Sequence, residues 1–369
     1  MITISMSELE QQIVQQIKTI RDQIDDYKDT VFAILGFCSM WFYDETTKQN
    51  RPYIKVFQGR RLSLEGSGAN AMESDSDGEK DITPDLGIVV RDERGIVGEV
   101  KKNFPREDIL RSAKIFEQLK TYDQPLRGWP TATESFINHQ IVLLVHQTTA
   151  KSAEDYYLAE TKTGDLEFSR RFSIIQFNRS DQRLPYFFFQ LAYGKECLIE
   201  GNGDLGHGVQ VPMEALVHLY SECKLYDAQP PLPYVLHLIW EHIITPIACQ
   251  DDKFERLKWN QKLDVKVTVD EISRTLYEGF SFRHWHLNYL SRQPEIPRKH
   301  WILEACQFMV GCNLAKWVVQ DNELLVFYRK HKDILSDFIQ LKAELDANKI
   351  MSPPLPGLEP RVTLTGGGN

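Results

Sequence analysis

The spacing of apolar residues predicts a long N-terminal helix followed by strands. Between residues 7 and 35, apolar side chains recur every three or four positions, which is the stripe of an amphipathic helix. That stripe fits a helix that covers a sheet, and over about four heptads it also fits a coiled-coil homodimer. Apolar, aromatic-rich segments at Phe37–Tyr43 and Tyr53–Phe57 predict strands. Glu65–Lys80 is almost free of large apolar residues, so we expect a mobile loop there.

A hairpin, a helix and a buried strand are predicted next. The β-rich runs Asp85–Arg91 and Gly95–Lys101 flank a polar turn at residues 92–94, which is the pattern of a hairpin. Arg106–Tyr122 has helical spacing, and Gln140–His146 is the nearly continuous apolar run of a strand buried on both faces. Further strands are predicted at Ser173–Phe177 and Tyr186–Tyr193.

The second half of the chain is predicted to be mainly helical. Gly201–Gly208 is rich in turn residues and indicates a boundary. Thr268 and Glu271 match a capping box, in which each side chain satisfies a backbone N–H of the other residue. Helices followed by a hairpin wing indicate a winged-helix module at residues 250–332. The predicted elements of this half are Met213–Lys224, Leu232–Ile247, a helix from Thr268, Pro297–Cys312, and the hairpin strands Lys316–Val319 and Leu324–Tyr328.

This order of elements predicts an α/β (α+β) protein with two domains and a tail. Residues 1–200 form a mixed β-sheet core flanked by helices, and residues 209–349 form a mainly helical accessory domain with the winged-helix module. Residues 350–369 are rich in Pro and Gly, so we expect a disordered tail.

Composition narrows the class of protein. The 369 residues are 42% hydrophobic, which supplies a sizeable core, and the formal net charge of −9 indicates modest intrinsic affinity for nucleic acid unless the surface holds a local basic groove. An acidic chain of this kind suggests that a protein partner delivers the substrate. The six cysteines form no C-x-x-C pair, no long apolar run occurs in the sequence, and the polar, acidic start of the sequence does not resemble a secretory signal. We therefore expect a cytoplasmic protein without a zinc site or a membrane span.

The hairpin carries the chemistry. Asp85, preceded by Thr83-Pro84, begins the first arm, and Glu99-Val100-Lys101 ends the second, with residues 86–98 between them. Side chains at i and i+2 of a strand share one face, so Glu99 and Lys101 project together, and the turn brings Asp85 near them. Two carboxylates can hold Mg²⁺, which lowers the pKa of a bound water, and a neighbouring lysine can orient that water and offset negative charge. This set of groups suits phosphodiester hydrolysis.

The motif resembles that of the PD-(D/E)xK nuclease superfamily. Pro84-Asp85 and Glu99-Val100-Lys101 spell it in full, and Gln118 with Tyr122 is similar to the Q-x-x-x-Y element of its RecB-like branch. The resemblance covers residues 7–195 in outline and is specific at residues 84–122. It implies a restriction-endonuclease-like core with the order α-β-β-β-α-β.

The resemblance also implies roles for individual residues. Asp85, Glu99 and the backbone carbonyl of Val100 would hold Mg²⁺ or Mn²⁺, and Lys101 would assist the attacking water. Gln118 would help to place the metal and water, and Tyr122 would contact substrate or backbone. Family members often add a glutamate from the first helix. Glu10 is the choice here because it flanks the apolar stripe, and Glu8 is its competitor.

Other polar residues have two interpretations each. His146 ends the buried strand, where a bond to the backbone is a simpler role than catalysis. Arg283 lies in an aromatic and basic segment that fits either nucleic-acid contact or packing. Arg298 and Lys299 open a helix, where cations oppose the helix dipole unless an anion is bound, which gives mild support to phosphate contact.

These observations predict a metal-dependent nuclease, an Mg²⁺-dependent endodeoxyribonuclease, with DNA favoured over RNA by the resemblance alone. By analogy with the branch, the chain would be the effector subunit of a bacterial anti-phage defence or DNA-processing complex. The alternative is a non-enzymatic winged-helix DNA-binding regulator or adaptor, in which the N-terminal domain is a degenerate nuclease fold.

Overall fold

The computed structural model describes most of the chain and divides it into two compact units. The large unit comprises Asp26–Gln229 and Asp270–Ile302, and the small unit comprises Met1–Asp25, Pro230–Val269 and Leu303–Asn369. None of the helices among the described residues has the length and apolar character needed to cross a membrane. The described residues are 6–44, 46–47, 49–50, 54–57, 62–64, 81–91, 93–105, 107–129, 137–164, 166–180, 186–194, 204–213, 225, 228–258, 261–280 and 298–351.

The large unit is built on a mixed α/β plan. Its helices are the second part of α1 (Met6–Phe42), α2 (Ile109–Thr121) and α3 (Gln147–Thr163), and it also contains residues 270–280 and 299–302, which belong to two helices given below. Its strands are β1 (Tyr43–Asp44), β2 (Gln49–Asn50), β3 (Ile54–Phe57), β4 (Leu62–Leu64), β5 (Asp81–Ile82), β6 (Leu86–Val90), β7 (Arg94–Lys101), β8 (Leu126–Arg127), β9 (Asn138–His146), β10 (Phe172–Ser180), β11 (Tyr186–Gly194) and β12 (Val209–Pro212).

Seven of these strands form one mixed sheet in the order β12-β11-β10-β9-β7-β6-β3. The central strands β7, β9 and β10 are parallel, and antiparallel pairs extend the sheet on both sides. Parallel neighbours need a crossover, and here α2 connects β7 to β9 while α3 connects β9 to β10. Short three-stranded (β5-β4-β8) and two-stranded (β1-β2) sheets complete the described strands of this unit.

Helices cover both faces of the large sheet. On one face α1 packs against β10 and β11, since the ring of Phe37 lies 5.8 Å from that of Phe189 and Arg179 lies over Phe32. On the other face α2 and α3 share one apolar cluster with the strands, in which the Phe116 ring stacks on Tyr157 at 5.8 Å. The buried hydrophobic side chains of the strands account for the β-rich, apolar sequence runs that predicted them.

Local signals fix the ends of the crossover helices. Asp108 accepts a hydrogen bond from the backbone N–H of Arg111 at 2.9 Å and so caps the start of α2. His146 caps α3 in the same way, because its side chain accepts from the N–H of Thr148. The helix ends at Gly164, whose positive φ of 82° suits a residue without a side chain.

One predicted strand of this region is wrong. The segment Phe37–Tyr43 was expected to be a strand, but α1 continues through Phe42 and only Tyr43 enters a strand. This last part of the helix is enclosed, with the side chains from Ala33 to Trp41 buried almost without exception. A helix buried all round shows no polar face, so its sequence resembles that of a buried strand.

The small unit holds a helical stretch with one wide turn. Leu232–Ile239 forms α4 and Thr245–Ala248 forms α5, and residues Trp240–Ile244 between them form a π-helical turn. The backbone N–H of Thr245 accordingly donates to the carbonyl of Trp240, five residues earlier. Together these segments match the helix predicted at Leu232–Ile247.

A three-stranded antiparallel sheet, ordered β13-β15-β14, completes the described strands of the small unit. The hairpin of β14 and β15 is where the sequence predicted it, whereas the strand β13 and, in the large unit, the helix α3 were not predicted. The remaining elements are β13 (Leu263–Thr268), α6 (Val269–Phe280), α7 (Lys299–Gly311), β14 (Ala315–Val319), β15 (Glu323–Tyr328) and α8 (Ile334–Met351).

Three predictions fall outside the described residues. They are the mobile loop at Glu65–Lys80, nearly all of the helix at Met213–Lys224, and the tail at residues 350–369, of which only Ile350 and Met351 are described and end α8 instead of being disordered.

Candidate functional site

The β6–β7 hairpin brings Asp85 to the end of β7. Leu86 pairs with Gly98, so the residue before Leu86 lies beside the residues that follow Gly98. The Asp85 carboxylate accepts a hydrogen bond from the backbone N–H of Val100 at 2.9 Å. Asp85 is thereby held in one position, although it stands just outside the strand.

Lys101 joins the two carboxylates. Its Nζ lies 2.8 Å from Oε2 of Glu99 and 3.7 Å from Oδ2 of Asp85. The Glu99 side chain is 1% exposed and that of Asp85 is 7% exposed, whereas Lys101 remains 28% exposed. Two buried acids therefore converge on one ammonium that still reaches solvent, and all three side chains lie on the same side of the sheet.

The end of α2 supplies the next two groups. The hydroxyl of Tyr122 donates a hydrogen bond to Oε1 of Glu99, on the opposite side of that carboxylate from Lys101. Gln118, one helical turn earlier, donates from Nε2 to the Tyr122 hydroxyl at 3.4 Å. The five residues predicted to carry the chemistry are thus gathered by the structure into one contiguous cluster. We call it the acidic cluster: Asp85, Glu99, Lys101, Gln118 and Tyr122.

Burial controls the electrostatics of this cluster. Burial and then the nearby Asp85 charge raise the pKa of Glu99 from 4.5 to about 8, and the Lys101 charge and the hydrogen bonds from Lys101 and Tyr122 offset only part of that rise. Burial and the charge of Glu99 also raise the pKa of Tyr122, which therefore stays a neutral phenol and a hydrogen-bond donor. A bound cation would stabilise the ionised carboxylates, because it would offset both the cost of burying their charge and the repulsion between Asp85 and Glu99.

His139 is a member of this region that the sequence did not reveal. Its Nε2 lies 2.7 Å from the backbone carbonyl of Tyr122, and its Nδ1 lies 3.3 Å from the carbonyl of Ile137. Burial lowers its pKa to about 4, so the ring is neutral at physiological pH. His139 ties the end of α2 to the start of β9 and so positions Tyr122. A single buried histidine at the start of an apolar strand carries no pattern that would predict this contact.

The donor set suits a hard divalent cation. Asp85 and Glu99 offer carboxylate oxygens, which are the ligands that Mg²⁺ prefers, and Mg²⁺ commonly keeps several waters. Among the residues that the structure describes, no group of three or more His, Cys, Asp or Glu side chains is arranged to hold a metal ion. The remaining ligands would therefore be backbone, water or substrate oxygens. The ligand role of the Val100 carbonyl, which belongs to the same strand end, stays a prediction.

The remaining predicted site residues are not joined to the acidic cluster by any described contact. Glu10 and its competitor Glu8 are exposed on α1, in the part of that helix that belongs to the small unit. Lys299 is exposed and lies 3.5 Å from Asp270, and Arg298 is half-buried. Their roles stay predictions, and Arg283 lies outside the described residues. The structural interpretation of His146 is supported, because it caps α3.

The fold and the site define an α/β protein in which the central hairpin of a mixed sheet holds a buried aspartate–glutamate–lysine cluster. Comparisons with protein-family models, with curated proteins and with solved structures give no match to this chain. The functional argument therefore rests on the motif and on the geometry of its side chains.

Proposed function

We propose that the protein is a metal-dependent nuclease with a restriction-endonuclease-like core of the PD-(D/E)xK kind. One observation carries the proposal. Asp85, Glu99 and Lys101 are spaced along the sequence as in that motif, and a carboxylate oxygen of each acid lies within 3.7 Å of Lys101 Nζ. The contact of Tyr122 with Glu99 adds independent support, because the Q-x-x-x-Y element lies at the far end of the crossover helix α2 and not on the hairpin.

The roles of the side chains follow from their contacts. A Mg²⁺ or Mn²⁺ ion held by Asp85 and Glu99 would supply an acidified water and positive charge for the phosphate. The ammonium of Lys101 can donate to a water or a phosphate oxygen, since its side chain is 28% exposed while both acids are buried. Tyr122 holds the Glu99 carboxylate in a fixed rotamer, and Gln118 orients the Tyr122 hydroxyl. The buried floor keeps these groups in place without substrate.

The substrate is proposed to be DNA, cut internally, with a protein partner that brings the substrate to an acidic chain. The net charge of −9 supports a need for such a partner. Action in the cytoplasm, as the effector of an anti-phage defence or DNA-processing complex, is the setting proposed by analogy with the RecB-like branch. The β14–β15 hairpin and its sheet support a winged-helix module in the accessory region. The apolar stripe of α1 would support a homo-oligomer.

The test is cleavage of supercoiled plasmid with Mg²⁺ or Mn²⁺, followed by gel electrophoresis. We expect the wild type to cut and Asp85→Asn to lose cutting, because the variant removes one of the two acids. Glu117→Gln is the matched control, since Glu117 is an exposed carboxylate on α2 beside Gln118. Equal cutting by Asp85→Asn and the wild type would refute the proposal.

A second candidate is a non-enzymatic DNA-binding regulator or adaptor, which the three-stranded sheet of the small unit favours. It predicts that no metal supports cutting, while the chain binds duplex DNA with sequence selectivity. Binding of Mg²⁺ to the folded protein, measured as a rise in the unfolding temperature that Asp85→Asn abolishes, separates a nuclease that awaits its partner from this regulator.

A further inference from the structure

The small unit brings two basic segments together at one end of its sheet. Leu263, the first residue of β13, pairs with Tyr328, the last residue of β15. The segment that enters β13 and the segment that leaves β15 therefore lie at the same end of the sheet. Residues 253–262 and 329–332 together contain seven Lys and Arg residues and only one acid, Glu255. We call these two segments the basic end.

The cations of the basic end are open to solvent. Lys253, Arg256, Lys258, Lys262, Arg329 and Lys332 are exposed, and Lys330 is half-buried. Within the described part of the chain, none of these seven forms an ion pair with a carboxylate, whereas Lys101, Lys102, Lys120 and Lys151 of the large unit are each paired. Asp333, the next acid along the chain, accepts hydrogen bonds from the backbone N–H and the hydroxyl of Ser336 at the start of α8. The seven cations therefore form no internal ion pair in the described part of the chain, although Asp252 and Glu255 line the same surface and Asp337 pairs with His331.

Aromatic rings lie directly beneath two of these cations. Lys262 Nζ is 5.1 Å from the centre of the Phe327 ring, and Lys330 Nζ is 4.9 Å from that of Phe254. Both rings are half-buried, so each keeps part of its surface available. Cations interleaved with accessible aromatic rings suit a strand of nucleic acid, whose phosphates and bases need both.

The basic end is also concave. A cleft of about 860 Å³ is lined by Lys253, Arg256 and Lys262, with Asp252 and Glu255 as its acids. The large exposed hydrophobic side chains of the described residues lie elsewhere, so the described part of this surface offers no fully exposed apolar anchor for a membrane. Shape and chemistry thus favour a nucleic-acid strand over a lipid headgroup surface.

We propose that the basic end binds the phosphodiester backbone of a nucleic acid and so holds the substrate for the chain. This deepens the proposed function and rests on it for the identity of the substrate. It also assigns the contact to a different surface from that predicted for Arg298 and Lys299.

The test measures binding without cleavage, by fluorescence anisotropy of a labelled single strand and a labelled duplex in EDTA. The variant Lys253→Ala/Arg256→Ala/Lys262→Ala is compared with Arg111→Ala/Lys114→Ala/Lys151→Ala, which removes the same charge from the large unit. We expect the first to bind about 10-fold or more weakly, with a salt slope shallower by about 2, because each lost phosphate contact removes roughly 0.7 to 0.9 from that slope. The control should bind nearly as the wild type does.

A charge-retaining variant separates lost contacts from lost folding. Lys253→Arg/Lys262→Arg should bind as the wild type does, and the three variants should share its thermal unfolding midpoint within about 2 °C, because exposed side chains contribute little to stability. Equal affinity and equal salt slope in the two alanine variants would overturn the inference, as would binding to phosphatidylserine vesicles but not to either nucleic acid. The plasmid assay is independent. A basic-end alanine variant that binds weakly but cuts plasmid as the wild type does rejects only this inference. Nucleic-acid binding by the wild type, with neither plasmid cutting nor a rise in its unfolding temperature in Mg²⁺, rejects the nuclease.

Discussion

Adjacent lysines at the end of β7 meet carboxylate pairs on opposite faces of the sheet. Lys101 points to the α2 side, where it lies 2.8 Å from Glu99 and 3.7 Å from Asp85. Lys102 points to the α1 side, where it lies 2.5 Å from Asp26 and 2.9 Å from Asp29. Both sites contain one ammonium and two carboxylates, but they differ in how much water reaches the acids.

The difference shows that burial, and not the set of charges, is what raises the pKa of an acid in the first site. Asp26 is 57% exposed and Asp29 is 30% exposed, and Arg179 adds a second cation at 3.0 Å from Asp29. Although burial opposes charge on Lys102, the hydrogen bonds and charges of both acids raise its pKa, so this site is a satisfied ion-pair network. At Glu99 the balance is the reverse, since burial outweighs every compensating contact. The ion pairs of Lys102 join α1 to the sheet. At the Lys101 site, in contrast, the positive charge does not offset the burial of Glu99.

The largest expected effect is on cleavage by the two lysine variants. We expect Lys101→Ala to slow plasmid cutting by about 100-fold or more, because it removes a donor aimed at the reacting groups. Lys102→Ala should stay within a few-fold of the wild type, as its partners face away from the acidic cluster. The initial rate of loss of supercoiled plasmid gives both values. Equal losses in the two variants would show that the faces are not functionally distinct.

The next effect is a dependence of stability on pH that Glu99 imposes. The folded pKa of Glu99 is raised to about 8, above the 4.5 of an unfolded glutamate. Below pH 4.5 the group is protonated in both states and has no effect. As pH rises from 4.5 to 8 only the unfolded chain loses this proton, so the free energy of unfolding falls, by an amount on the order of a few kcal/mol.

Denaturant unfolding in EDTA at several pH values measures this fall. Glu99→Gln should flatten it, because the amide does not titrate in this range. Mg²⁺ at pH 8 should raise the unfolding temperature of the wild type but not of Glu99→Gln. A wild-type profile that is already flat in EDTA would contradict the raised pKa.

A smaller effect is expected from the hydroxyl of Tyr122. Tyr122→Phe keeps the buried ring but removes the donor to Glu99, and hydrogen bonds to charged groups contribute about 1.5–3 kcal/mol. We expect a loss of stability in that range at pH values above 8, where Glu99 is ionised, and a smaller loss at pH 5. Tyr156→Phe is the control, because that ring stacks on Phe116 at 5.4 Å and belongs to the same apolar cluster. The same loss in both variants would mean that the hydroxyl of Tyr122 adds nothing specific.

The smallest effect is on the stability of Lys102→Ala. Exposed ion pairs contribute about 0–1 kcal/mol, and both acids of Lys102 are accessible to water. We expect a decrease of about 1 kcal/mol or less that shrinks as salt is added. A decrease of several kcal/mol, independent of salt, would place this network among the buried interactions and remove the contrast with Lys101.

The acidic cluster was predictable because each of its signals is local. The alternation of the hairpin places Glu99 and Lys101 on one face, and the turn length places Asp85 beside them. Gln118 and Tyr122 are one helical turn apart, so their mutual contact is also a local matter. The family resemblance assigned both residues to the same site but gave Tyr122 a contact with substrate or backbone. The bond of Tyr122 to the Glu99 side chain was not predicted, since nothing in the helix sequence alone reports which strand it covers.

Elements whose pattern is masked by their surroundings were missed. Helix α3 buries Ala150, Ala153 and Tyr157 but is otherwise polar, so its apolar stripe is too thin to detect. Strand β13 alternates cleanly, but it runs directly into the helix that begins after Thr268, and the capping signal dominated that segment. The role of His139 depends on carbonyls that only the folded chain brings together.

The crossover between β7 and β9 has a consequence for the order of folding. The β6–β7 hairpin is sequence-local and can form early, whereas Tyr122 reaches Glu99 only when α2 is carried back across the sheet to the parallel strand β9. During synthesis, Asp85 and Glu99 would therefore stay apart from the Tyr122 hydroxyl until residues up to His146 have left the ribosome. We therefore expect this centre to form only after the longest-range pairing of the sheet, that of β7 with β9, is made.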